Sequence, residues 1–434
     1  MKHIFYILFL LPLLSFSQVG FSTYGIVGNG SDETTKLQTA LDSGNDLIND
    51  VGSNFLISTT LDIDQTGDQT INWSSAIITS VGYLQPMMEV AKLSGGGITT
   101  MMDLHLDGSN GAQRGIEFRS PGIYTNITTS DYAQTTNQSI IGIWIDITTD
   151  SDSWGKYTFE GCDTGDMDAV NNNTVATDVQ GAAYGLYVTW DGVPGVATII
   201  DYNNALLYDT FGEDANCVFV RNGSGIYDIE NSSSSFNMTD CILRDGERRV
   251  GKLFSGGATY TRCLFQEMDK DNPRALSTQG KAGLLAIDGY NNGGTKFIDC
   301  EFRGTTGTTN DNRMFHSNSN DSGYENCRFT NGTGIYFSNV MGAISVCGTE
   351  FGAGSYIEDK AGTDWTGGSL TLDTGNIYTD EFSTMTTELN NVTPIQIPLV
   401  CTIITPPSGE LSYFSTNILG AIASQQSPNG GTNL

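Results

Sequence analysis

Short runs in which apolar and polar residues alternate fill most of this chain. From Asp50 to Thr79 the text reads NFLISTTLDI and then QTINWSSAIIT, with Gly52, Gly67 and Gly82 as punctuation. MMDLHLDG (Met101 to Gly108), GIEF (Gly115 to Phe118), IYTNITT (Ile123 to Thr129) and IIGIWIDIT (Ile140 to Thr148) keep the same period of two. After a polar stretch at 150–178, expected to be irregular, the pattern resumes as ATIIDYNNALLYD, ANCVFVRNG, GIYDIEN and FNMTDC between Ala197 and Cys241. Alternation over four to eight residues, bounded by glycine and polar turns, predicts many short half-buried strands. Past Trp365, TGGSLTLDTGNIY still reads as strand, whereas Thr393 to Pro407 carries four prolines and the tail from Ser424 is polar and expected to be disordered.

One stretch has helical spacing instead. Leu37, Ala40 and Leu41 share a face, and Ser31 and Asp32 are placed as N-caps for a helix over Asp32 to Asp42. Acidic Asp32 and Glu33 stand at the positive end of its dipole.

Cysteine shows a longer period. TDCIL (Cys241), TRCLF (Cys263), IDCEF (Cys300), ENCRF (Cys327) and SVCGT (Cys347) repeat one local pattern. Cys241 and Cys263 lie 22 residues apart, and the wider steps that follow imply inserted loops, one of them within Asp269 to Gly294. A residue recurring at one register of a coiled sheet stacks on its copy in the next coil. The reading is a ladder of free, buried thiols packed as small apolar groups, with disulfides between coils as the rival and Cys162, Cys217 and Cys401 unplaced.

The opening YGIVGNGSDETTKLQTALD (Tyr24 to Asp42) resembles the head of the pectate-lyase-like superfamily of parallel β-helices, an opening also found in phage tailspikes. It departs by one missing residue between Gly30 and Asp32, and by Asn29 where Asp is usual. The resemblance implies an all-β, right-handed parallel β-helix: a cap at 18–50 with a short helix, coils over 51–365, and a small C-terminal β region with a tail at 366–434. A solenoid of this length needs no division into further domains, because each coil touches only its neighbours.

Charge narrows the partners. With 49 acidic against 20 basic residues the net charge is −29, which speaks against nucleic acid or an anionic membrane surface. Met1 to Gln18 reads as a secretory signal: Lys2 and His3, an apolar core from Ile4 to Leu14 too short to span a bilayer, and small Ser15 and Ser17 before cleavage at 17/18. A secreted protein with no membrane span is therefore expected.

Half of the Lys and Arg, ten residues, fall between Cys241 and Arg303 among eight acids. Adding the 22-residue period to Lys252 gives Arg274, and to Glu247 gives Asp269, so a regular coil would stack these pairs. Stacked cations suit an acidic polysaccharide. Resemblance to β-helix polysaccharide lyases implies β-elimination from a uronate, with Lys252 as base and Arg249 and Arg274 neutralising the carboxylate. The alternatives are a β-helix glycoside hydrolase using Glu247 with Asp269 or Asp271, and a non-catalytic glycan-binding or tailspike-like adhesin, for which a trimer stays open. Ca²⁺ is the one cofactor left open, at Asp163 to Asn173 (DTGDMDAVNNN), whose acids are oxygen ligands without an EF-hand register. FGEDANCVFV (Phe211 to Val220) is similar to the acidic signature of polygalacturonases, but Glu213 replaces its first Asp and two residues separate Asp214 from Cys217. His105, between Asp103 and Asp107, reads as part of an outward polar strand, and His316 as a surface residue.

Overall fold

The structure, a computed structural model, describes residues 18–401 apart from 66, 93–96, 110, 134–138, 149, 169–181, 191–195, 212–213, 223–233, 248, 255–257, 268–283, 289–293, 305–312, 318–320, 366–367, 379–391 and 400. Its strands pair in parallel from coil to coil. This is a parallel β-helix, the architecture expected from the alternation and the cysteine period. One face is an eleven-stranded sheet, here the front sheet, running from Leu61–Gln65 to Tyr356–Asp364; a 24-stranded sheet forms the rest of the wall, with a three-stranded strip between them.

Single residues turn the corners. Asp240, Arg262, Asp299, Asn326 and Gly348 all have φ between 50° and 58°, the left-handed region that Asn, Asp and Gly tolerate best. Backbone pairing continues through the bend, with Asp240 N–H donating to Thr261 O at 3.0 Å and Asn326 N–H to Cys347 O at 2.8 Å. Arg262 is the unusual residue in this series, and its guanidinium donates twice to Asp240, each at 2.7 Å.

The residue after each corner points inward. Cys241, Cys263, Cys300 and Cys327 are free and buried, and each thiol donates to the carbonyl two residues back, at 3.3–3.4 Å. Cys347 is not their continuation. Arg328 pairs with Glu350, so the next rung after Cys327 is Thr349, whose hydroxyl donates to Cys347 O at 3.1 Å in the thiol's place. The coil there is 22 residues long, and SVCGT is displaced by two. Cys347 instead lies level with Glu325 and is disulfide-bonded to Cys401, with Cα atoms 5.9 Å apart. Both cysteine readings therefore hold, each for different residues.

Aromatic rings fill the interior in stacks. Phe265, Phe302, Phe329, Phe351 and Tyr378 follow one another at 5.2, 4.7, 5.0 and 5.5 Å between centroids. Near the N-terminus Phe21, Phe55 and Trp73 meet edge to face.

The helix spans Thr34–Leu41 and buries Leu37, Ala40 and Leu41 as its spacing predicts. Its capping differs from expectation. Glu33 is the N-cap residue and makes no side-chain cap bond; its carboxylate instead accepts from Val27 N and Gly28 N at 2.7 and 2.8 Å, fixing the glycine turn. Asp32 accepts from Thr34 N at 3.1 Å, while Ser31 bonds back to Asn29. Gln38 covers the open edge of the front sheet, donating to Asp62 O at 2.7 Å and accepting from Asp62 N at 3.0 Å. An unpaired edge strand is a template for aggregation. Gln38→Ala is expected to cost about 1–3 kcal/mol, two backbone-directed hydrogen bonds, read as a lower denaturant midpoint; an unchanged midpoint would show that water replaces the amide.

Residues 150–178 are more ordered than expected where they are described: Lys156–Glu160, Asp163–Thr164 and Met167–Asp168 are strands. At the C-terminal side, Ser369–Asp373 and then Ile395–Ile397 add further parallel strands. Among the described residues no helix is long and apolar enough to cross a membrane. The signal segment lies outside them.

Candidate functional site on the outer face of the front sheet

Five successive strands of the front sheet share a local pattern. Arg114-Gly-Ile-Glu117-Phe-Arg119, Ile141-Gly-Ile-Trp144-Ile-Asp146, Tyr184-Gly-Leu-Tyr187-Val-Thr189, Asn216-Cys-Val-Phe219-Val-Arg221 and Arg249-Val-Gly-Lys252-Leu-Phe254 lie side by side in register. In each, the pairing skips the second residue, so first and fourth residues face outward while the apolar ones between them face the core. The outward rows that result are chemically distinct.

The central row runs Glu89, Glu117, Trp144, Tyr187, Phe219, Lys252. Tyr184 from the adjacent row stacks on Tyr187 at 5.0 Å and meets Phe219 at 5.0 Å. With Ile141 these form a second apolar cluster outside the solenoid, against which Trp144 and Tyr187 stay partly exposed. Cations flank it: the Arg114 guanidinium lies 4.8 Å from the Trp144 ring and the Lys252 ammonium 4.9 Å from the Phe219 ring.

At the N-terminal end of this strip three carboxylates converge on one guanidinium. Arg119 donates through Nη1 to Glu89 at 2.8 Å, meets Glu117 through Nη2, and places Nε 3.5 Å from Asp146. Glu117 is buried, and burial pushes its carboxyl up to about 7, with Glu89 and Asp146 adding to the rise and Arg119 and Arg114 opposing it. Three carboxylates facing two guanidinium groups carry one excess negative charge, and a proton on Glu117 removes it. Asp146 is secured differently: its Oδ1 accepts from Thr189 Oγ1 at 2.6 Å, and that hydroxyl accepts from Trp144 Nε1 at 2.8 Å. A protonated acid thus stands beside a hydrogen-bonded carboxylate on the neighbouring strand, next to an aromatic strip. Pairs of carboxyls pushed towards different protonation states are the working parts of acid–base catalysis.

The residues singled out from the sequence fare unevenly. Lys252 lies on the central row, three strands beyond Trp144. Arg249 and Glu247 are buried, Arg249 level with Asn216. Arg274, Asp269 and Asp271 fall outside the described residues. The supposed stacking of Lys252 on Arg274 does not occur, because the Cα partner of Lys252 in the next coil is Ala286. The 22-residue period is real at the cysteine corner and fails on the front sheet, where the inserted loop lengthens the step to 34. Nor is the basic window one face. Arg244, Arg262 and Arg303 lie on the larger sheet, paired with Asp245, Asp240 and Glu301 at 3.2, 2.7 and 2.8 Å. Such exposed pairs are worth little.

The calcium reading loses its geometry. Asp163 accepts from Leu206 N at 2.7 Å in the large sheet, whereas Asp168 belongs to the three-stranded strip. Among the described residues, the one group at metal-binding spacing is Cys347, Asp373 and Cys401, and its two sulfurs are joined in the disulfide. His105 stands on an outward position of the large sheet beside Ser130, 3.2 Å from its hydroxyl, and the side chain of His316 is outside the described set.

No family model matches the sequence, and no curated protein matches it. Three solved structures are similar. The Dettilon tailspike protein (gp208) aligns over 87% of this chain and 68% of its own, at 10% identity and a TM-score of 0.34. The Agl-KA catalytic domain aligns over the same shares at 12% identity and a TM-score of 0.29. The A-module of the Azotobacter vinelandii mannuronan C-5 epimerase AlgE4 aligns over 88% of this chain and 98% of its own, at 11% identity and a TM-score of 0.22. At these scores the fold stands on the strand pairings above.

Proposed function

We propose that this protein is an exported enzyme that cleaves a glycan by hydrolysis on the outer face of its front sheet. The observation that supports this most strongly is Glu117: a buried, proton-holding carboxyl within one guanidinium's reach of a second carboxylate, Asp146, and beside the partly exposed Trp144. Glu117 donates its proton to the leaving glycosidic oxygen. Asp146 draws the proton from water, and the aromatic strip holds the sugar by apolar contact. Arg119, Arg114 and Lys252 make an anionic sugar the favoured substrate class in a chain otherwise so acidic.

This reading moves the chemistry away from Lys252. The test is incubation with a panel of neutral and uronate-containing polysaccharides, following both new reducing ends and the ultraviolet absorbance of an unsaturated uronate. Reducing ends without absorbance, lost in Glu117→Gln and retained within a few-fold in Lys252→Ala, are expected. Absorbance that disappears in Lys252→Ala would instead establish elimination. Binding without cleavage by either measure would leave a glycan-binding solenoid.

A further inference from the structure

Thr189 stands between two groups of the site just described. It is the Cα partner of Asp146 on the adjacent strand, and Trp144 is two residues before Asp146 on the same outward side. Its hydroxyl gives its only proton to Asp146 Oδ1, at 2.6 Å, and receives the Trp144 indole proton, at 2.8 Å. The chain therefore has one direction, from indole N–H through hydroxyl to carboxylate. Thr189 is itself buried, so water does not readily substitute for it.

Resting on the glycan-cleavage reading, we infer that Thr189 is a positioning residue that couples the Trp144 ring, where the sugar seats, to the charge on Asp146. An ionised Asp146 polarises the hydroxyl and strengthens its grip on the indole; protonation of Asp146 removes the acceptor and loosens that grip. Conversely, a sugar that reorients Trp144 alters how well Asp146 is held as a base. Other charged and titratable groups also act at this site: Arg119 at 3.5 Å, Glu117 and Glu89 through the same guanidinium, Arg221 beside Thr189 on the next strand, Arg114 over Trp144, and Tyr157 in the core. They are common to wild type and variants, so the contribution of Thr189 is read as a difference.

The experiment follows the indole ¹⁵N–H resonance of Trp144 in the full chain, without substrate, through the acid range; Trp144→Phe assigns it among the five tryptophans. In wild type the resonance is expected to titrate with Asp146. The titration is expected to vanish in Thr189→Val and to return in Thr189→Ser. The other four indoles report whether the valine variant is folded, with Thr189→Ala as the second hydroxyl-free variant. An indole that does not titrate in wild type, or titrates unchanged without the hydroxyl, overturns the inference. On a cleaved glycan, the acid limb of the kcat/KM profile is expected to move up by about one pH unit in Thr189→Val, since a carboxylate that loses a donor is protonated more easily, and to move back in Thr189→Ser. An unmoved limb also overturns it. If wild type cleaves nothing, the glycan reading fails, and the indole titration alone decides whether Trp144 and Asp146 are coupled.

Discussion

Glu117→Gln is expected to lower turnover about 10²- to 10⁴-fold, the usual contribution of a general acid, with little change in substrate affinity. Glutamine keeps the shape and a hydrogen bond to Arg119 but has no proton to give. The pH profile carries the same signature. Glu117 is held up to about 7, first by burial, and the acid must be protonated to act, so kcat/KM is expected to fall as pH rises through about 7. Stability follows the same group. A carboxyl whose folded pKa is raised stabilises the native state fully below its unfolded value and loses that contribution as pH rises through the folded value. Wild type is therefore expected to lose stability between roughly pH 4.5 and 7, and Glu117→Gln to show a flatter dependence there. A variant with full turnover, or a profile still flat at pH 8, would remove Glu117 from the chemistry.

The fold was legible because its signals are local. Period-two alternation needs only a few residues, and a corner residue such as Asn326 sits directly before the Cys327 it presents to the core. The rung at Thr349 was missed because a cysteine two residues away offered the more conspicuous match. Chemical identity misled where hydrogen-bonding role was conserved, since the Thr349 hydroxyl and the cysteine thiols bond the same backbone carbonyl.

The site was far less legible. Glu117, Trp144, Tyr187, Phe219 and Lys252 are lateral neighbours, yet their steps along the sequence are 27, 43, 32 and 33 residues, because loops of different length intervene. No fixed period reveals that row. The usable signal was the repeated text itself, GIEF, GIWI and GLYV, which matches position by position without equal spacing. The basic window failed for the opposite reason. Residues within one coil length wrap the whole circumference, so nearness in sequence disperses charges such as Arg244, Lys252 and Arg262 over different sheets. In a solenoid, a functional face gathers residues a coil apart, and composition counted along the chain averages across faces.

That same geometry sets the second large effect. Phe302→Ala is expected to cost about 3–5 kcal/mol, the range for removing a buried aromatic side chain. Its ring stacks between Phe265 at 5.2 Å and Phe329 at 4.7 Å, and it is fully buried. Two coil interfaces lose contact at once, and the rigid backbone ladders on either side, Leu264–Glu301 and Glu301–Arg328, prevent the coils from closing over the cavity. Phe302→Leu, which keeps most of the volume, is expected to cost about half as much. Because each coil is supported only by its neighbours, the damage is expected to be local: amide exchange should accelerate around Cys263, Cys300 and Cys327 while the strands from Phe55 to Phe118 keep their protection. The carboxylate cluster at Glu117 lies on those distant coils, so catalysis at low temperature should survive the substitution. Uniform loss of protection along the chain would show instead that the solenoid unfolds as one cooperative unit, and that the aromatic stacks act over the whole molecule.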